Sequence, residues 1–206
     1  MHGHPAKPEH ASRREIRIWD PWVRLFHWSL VVAVLVAWMA GEAGLVVHVV
    51  AGYTVFVLVI WRIGWGFVGP APARFRNFVK RPGEIRAFLR ATLRGRPPHH
   101  AGHNPAGGAM VVLLLATLLL TTFTGMALYG AQDAGGPLAF LAGQAGFAML
   151  DGLEAVHEFL GDFLPWLIAI HVAGVIVESL LQDTDLTRAM ITGRKTLPVT
   201  NAGDEA

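Results

Sequence analysis

The chain has 206 residues, 53% of them hydrophobic and only 16% charged, with a mean hydropathy of +0.43. Those values exclude an ordinary soluble domain and describe an integral membrane protein with a single helical bundle; a net charge of only +2 gives no hint of a nucleic-acid partner. The absence of cysteine excludes covalently attached c-type haem, cysteine-ligated iron–sulfur clusters and disulfides.

Residues 1–18 form a polar tail with His2, His4, Lys7, His10, Arg13 and Arg14. It lacks the apolar stretch of a cleavable signal peptide, so the first span is expected to act as an uncleaved anchor. Span one is predicted over Pro21–Ala43, opening at Trp19-Asp20-Pro21-Trp22 with tryptophans at the level of an interfacial aromatic belt. His27 falls about two turns into it. The turn Gly41-Glu42-Ala43-Gly44 is so short that span two, Leu45–Val68, must return antiparallel beside span one. His48 lies near the start of span two and Arg62 near its end.

In the loop 69–104, Pro82-Gly83 introduces a stripe of Ile85, Phe88, Leu89 and Leu93, with Arg86, Arg90 and Arg94 beside it. That pattern predicts an amphipathic helix lying in the membrane interface. His99, His100 and His103 belong to the same loop. Span three, Pro105–Tyr129, contains no histidine, but Thr121, Thr122, Thr124 and Gly125 form a small-residue patch open to a close helix or a flat cofactor. A Gly- and Ala-rich loop over 130–152 is expected to fold across the outer surface. Span four, Glu154–Leu181, carries His157, Pro165 and His171. The division is a polar tail (1–18), a four-helix transmembrane domain (19–182) and a second tail (183–206), each span being long enough for a bilayer.

Every one of the 17 Lys and Arg residues falls in the two tails, in the loop between spans two and three, or, like Arg62, near that side of a span. The positive-inside rule therefore makes both termini cytoplasmic. The opposite side carries Glu42, Asp133, Asp151, Glu154, Glu158 and Asp162, an acidic face.

His157 and His171 lie 14 residues apart on one helix, hence roughly 21 Å apart along it and on nearly the same face. Spans two and four run in the same direction, so His48 and His157 share the outer level, while His27 matches His171 at the inner level. Such a pattern suits two stacked bis-histidine haems, held by coordination and packing alone and therefore b-type. Ionisable groups inside a membrane usually mark function; histidines on a proton or metal-ion pathway, or plain packing residues, are the competing readings. Gly52 follows His48 by four residues, Gly161 follows His157 by four and Gly174 follows His171 by three, each leaving room on its ligand's helix face. Arg62, 14 residues after His48, falls at the depth of His171 and suits a bidentate contact with a haem propionate; snorkelling to lipid headgroups is the plainer role. His103 and Asn104 are candidates for the border of a quinone pocket or for a propionate contact; Glu178, seven residues after His171 on the same face, suits proton relay to a quinone, an inner-interface carboxylate being its plainer role.

The run Trp19-Asp20-Pro21-Trp22-Val23-Arg24-Leu25-Phe26-His27-Trp28 resembles the first span of the bacterial cytochrome b561 family, a superfamily that includes the b-type cytochrome subunits of nickel–iron hydrogenases. Similar matches are His48 with Gly52-Tyr53, Trp61-Arg62 with Trp65-Gly66, Gly102-His103-Asn104-Pro105, Thr124-Gly125, His157, His171 and the segment 188–195. The resemblance implies a four-helix di-haem membrane cytochrome, with His27, His48, His157 and His171 as haem ligands, exchanging electrons with quinone and a redox partner. Hydrogenase-type subunits usually carry a further span that these residues do not supply.

The expectation is a multi-pass protein of the bacterial inner membrane, with two haem b groups. It would pass electrons between quinone or quinol and a periplasmic redox protein such as a c-type cytochrome, with a homodimer as an option. Oxidation of superoxide at the outer haem without a protein partner, and a histidine-based proton or metal-ion transporter, are the alternatives.

Overall fold

The computed structural model describes residues 13–41, 44–96, 98, 100 and 102–198. The tail with His2, His4 and His10, together with Glu42 and His99, lies outside the described residues. Among the described residues, four helices are long and apolar enough to cross a membrane: α1 (Pro21–Ala40), α2 (Leu45–Val68), α5 (Pro105–Asp133) and α6 (Phe147–Gln182). Short helices α3 (Phe75–Phe78) and α4 (Pro82–Leu93) lie between α2 and α5, and α7 (Leu186–Thr192) follows α6. The molecule is an all-α membrane bundle.

Its helix starts follow from local chemistry. Asp20 caps α1, its Oδ1 accepting from the amides of Trp22 at 2.9 Å and Val23 at 3.1 Å, with Pro21 at the first helical position. Asn104 caps α5 likewise, accepting from the Gly107 amide at 2.6 Å ahead of Pro105. A cap followed by proline fills orphan amides and pre-sets the backbone. Replacing Asp20 with alanine should cost about 1 kcal/mol, read as a lowered melting temperature of the detergent-solubilised protein.

The bounds of three helices differ from the sequence reading: α1 ends at Ala40, with Gly41 (φ 48°) as its cap, rather than at Ala43. Helix α5 runs on past Tyr129 to Asp133, where Ala134 turns left-handed (φ 53°). Helix α6 starts at Phe147 rather than Glu154 and covers 36 residues. At 1.5 Å per residue it is about 54 Å long, well beyond a hydrocarbon core of about 30 Å. Hydropathy sees the lipid, whereas helix-forming residues such as Ala148, Met149 and Leu150 carry the helix into water. The intervening segment folds back on α5 through a 3-10 turn at Gly136–Leu141, as expected of a surface cover. The amphipathic helix is present as α4, with Phe88 buried and Leu93 exposed.

The core joins Phe26 and Ala33 of α1, Val55 and Val59 of α2, Leu115 and Leu118 of α5, and Leu164 of α6. Helix α1 packs on α2, α2 on α5, and α5 on α6, but neither α1 nor α2 packs its backbone closely on α6. The histidine-bearing faces therefore look at each other across a gap, spaced by the histidine-free α5. The sequence reading has no strand, yet β1 (Arg13–Arg17) pairs antiparallel with β2 (Arg194–Pro198), Glu15 facing Thr196. A second cluster, Ile18, Trp19, Val23, Ala73 and Ala189, seals this basic end of the bundle.

Candidate functional site

At the acidic end, the rings of His48 on α2 and His157 on α6 have centroids 6.0 Å apart and planes at 81°. His48 Nδ1 lies 2.8 Å from the Ala37 carbonyl oxygen, and His157 Nδ1 lies 3.0 Å from that of Thr121. A carbonyl oxygen only accepts, so each Nδ1 carries the proton and each Nε2 keeps a free lone pair. This is how metal-binding imidazoles are oriented. Metal–imidazole bonds of about 2 Å on either side of one ion put two ring centres about 6 Å apart, the spacing seen here.

Helix α5 forms the wall behind His157. Thr124 Oγ1 is 3.3 Å from His157 Nδ1 and donates to the Thr121 carbonyl at 2.9 Å. A Cβ on Gly125 would stand 2.7 Å from His157 Cε1, so only glycine lets the ring lie there. The small-residue patch of span three is thus a histidine seat. A Cβ added at Gly52, Gly161 or Gly174 meets nothing within 4 Å, so open space lies over all three glycines.

At the basic end, His27 of α1 lies near enough to His171 of α6 for a charge on one to act on the other. The Nδ1 of His27 is buried without a hydrogen-bond partner. Arg62 is only 3% exposed; its Nη2 donates to the Ala73 carbonyl at 3.2 Å, and its guanidinium lies over the Phe75 ring at 5.3 Å. Its Nη1 is buried and unpartnered. A buried cation with a free donor is costly unless an anion meets it, and a carboxylate is the natural complement.

Around this cluster, His103 packs between Trp19 and Phe78, each ring centroid 4.6 Å away. Burial first, then the positive charge of Arg62, His171 and Lys195, push its pKa down to about 3, so it is neutral at physiological pH. Asn104 donates to Glu178, as does Gln182 at 3.2 Å. Lys195, 3% exposed on β2, donates to the His100 carbonyl at 2.8 Å. Sequence reasoning missed Gln182 and Lys195 as members of this cluster, because both sit on segments that read as tail or interface. It also missed the Ala37 and Thr121 carbonyls, which no side-chain pattern reveals.

Four apolar spans with histidines set between them describe a membrane cytochrome. A family model for prokaryotic cytochrome b561 matches residues 18–193, and the chain belongs to that family. No curated protein and no solved structure matches it. It is a membrane b-type cytochrome that binds haem b and transfers electrons. The residues fit that group: paired imidazoles with free Nε2 atoms, open space over Gly52, Gly161 and Gly174, and a buried guanidinium lacking an anion.

Proposed function

We propose that the protein binds two haem b groups and carries electrons across the bacterial inner membrane between the quinone pool and a periplasmic redox protein such as a c-type cytochrome. His48 and His157 would hold one haem iron at the acidic, periplasmic end, and His27 and His171 the other at the basic, cytoplasmic end. Gly52, Gly161 and Gly174 would leave room for the rings, and Arg62 would meet a propionate through its free Nη1. The observation carrying the reading is the facing of His48 and His157 at 6.0 Å, each Nδ1 committed to a carbonyl.

When bound, haem b supplies a reversible one-electron change at iron, and two imidazoles leave no open position there for oxygen chemistry. The chain's own part is positional. The Ala37 and Thr121 carbonyls fix the ring planes, Thr124 and Gly125 hold the wall, and the apolar spans exclude water. Unlike charges around the two ends orient the molecule and its partner.

The acidic end presents Asp133, Asp151, Glu154, Glu158 and Asp162 and no lysine or arginine. Electron exchange with a basic c-type cytochrome, followed by stopped-flow absorbance, should therefore slow as ionic strength rises over the range where the Debye length shrinks from about 30 to 8 Å. A salt-independent rate would dismiss electrostatic docking. Reduction by superoxide as fast as by any cytochrome would favour the partner-free reading.

A further inference from the structure

Helix α4 carries three rows of side chains with different surroundings. Phe88 turns inward: it is buried, and its ring meets that of His100 edge-on at 5.5 Å. The His100 carbonyl in turn accepts from the buried Lys195 ammonium at 2.8 Å, so α4 rests on the floor of the basic end. Leu89 and Leu93, one turn apart, form a second row, and Leu93 is 88% exposed. Beside them Arg86, Arg90 and the cap residue Arg94 recur every fourth residue, a third row rising about 6 Å per step. All three arginines are exposed, and among the described residues no carboxylate pairs with them. Glu84, the acid of this helix, accepts from the Arg81 amide at 3.1 Å instead.

An aqueous polyanion such as a nucleic acid would meet the arginines but give Leu89 and Leu93 nothing to bury against. The tether decides the occupant. Helix α4 lies between the basic-end termini of α2 and α5, both membrane spans, and is therefore held at the surface of that leaflet. A leucine row bordered by an arginine row complements an anionic lipid surface, acyl chains covering the first and phosphates meeting the second. We infer that α4 is a docking surface for anionic phospholipid in the leaflet at the basic end: Arg86, Arg90 and Arg94 take the headgroup phosphates, and Leu89 and Leu93 enter the acyl layer. This role is independent of how many haems the protein holds. Phe88 then ties the lipid-bound helix to His100, and through its carbonyl to Lys195. Each basic residue near an anionic surface strengthens attachment about fivefold, so the three arginines together contribute about a hundredfold.

The test is native mass spectrometry of the purified holoprotein in detergent, titrated in turn with phosphatidylglycerol, phosphatidylcholine and inorganic phosphate. Phosphatidylglycerol should bind well ahead of phosphatidylcholine and should raise the melting temperature, since a ligand held only by the folded state stabilises it. The triple variant Arg86→Gln, Arg90→Gln, Arg94→Gln should bind phosphatidylglycerol about a hundredfold more weakly, with haem content unchanged. Leu89→Ser with Leu93→Ser should weaken both lipids. Arg17→Gln with Arg188→Gln, exposed arginines elsewhere at the basic end, should leave the preference in place. Equal binding of the two lipids, a preference that survives the triple variant, one lost as fully in the Arg17 and Arg188 pair, or binding indifferent to the leucine pair would overturn the inference. Displacement of phosphatidylglycerol by inorganic phosphate would overturn it too, leaving a site for a free anion.

Discussion

On the two-haem reading, protein purified with His48 replaced by alanine should carry one haem per chain in place of two. Its reduced b-type bands should fall to about half, because a low-spin centre needs both axial imidazoles. The reason lies between the helices: α2 and α6 do not pack their backbones closely, and at that height the His48 and His157 rings face each other across the space. Removing one imidazole leaves His157 with its Nδ1 still held by Thr121 and its Nε2 facing an empty side. His157→Ala should give the same loss, and the double variant no more than either single one, since the two residues act as a unit. Adding His27→Ala should remove the remaining bands. A pyridine-haemochrome assay per polypeptide reads all of these. Full haem content in His48→Ala would dismiss the assignment.

Valine at position 125 should damage the same centre from behind. The wall that α5 presents to His157 has no slack: the first added carbon would lie 2.7 Å from Cε1 and 3.2 Å from Nδ1 of the ring. The imidazole must swing away and give up its bond to the Thr121 carbonyl. Overpacking of this kind costs about 1–3 kcal/mol, and the displaced ring no longer presents Nε2 where a metal would need it. The expected readout is loss or broadening of one of the two haem signals, with the other unchanged. Gly52→Ala is the informative companion. A methyl there touches nothing of the chain, and alanine favours the helix by about 1 kcal/mol. If Gly52→Ala still lowers haem content, the space over Gly52 belongs to the cofactor rather than to protein.

Much of this molecule was legible in its residues. The four spans declare themselves by hydropathy and length, and three of their starts lie where Asp20, Gly44 and Asn104 end the preceding segment. The direction of each span alone brings His48 level with His157, and the two rings do meet. Other features had no local signal. Helix α6 begins in water, where apolar content is a poor guide. The strand at Arg13–Arg17 is a charged run whose partner lies at the far end of the chain, and non-local pairing leaves no trace in a window of neighbours. The carbonyl acceptors at Ala37 and Thr121 are invisible for a simpler reason: every residue has one.

The pairing of Arg13–Arg17 with Arg194–Pro198 has a temporal meaning. The first of these strands is made before the four long helices that follow it, and its complement only after α6. Such a distant contact is the last that translation permits. A nascent chain cut short anywhere before it lacks both the clasp and Lys195, so the buried basic cluster stays open until synthesis has passed the final helix.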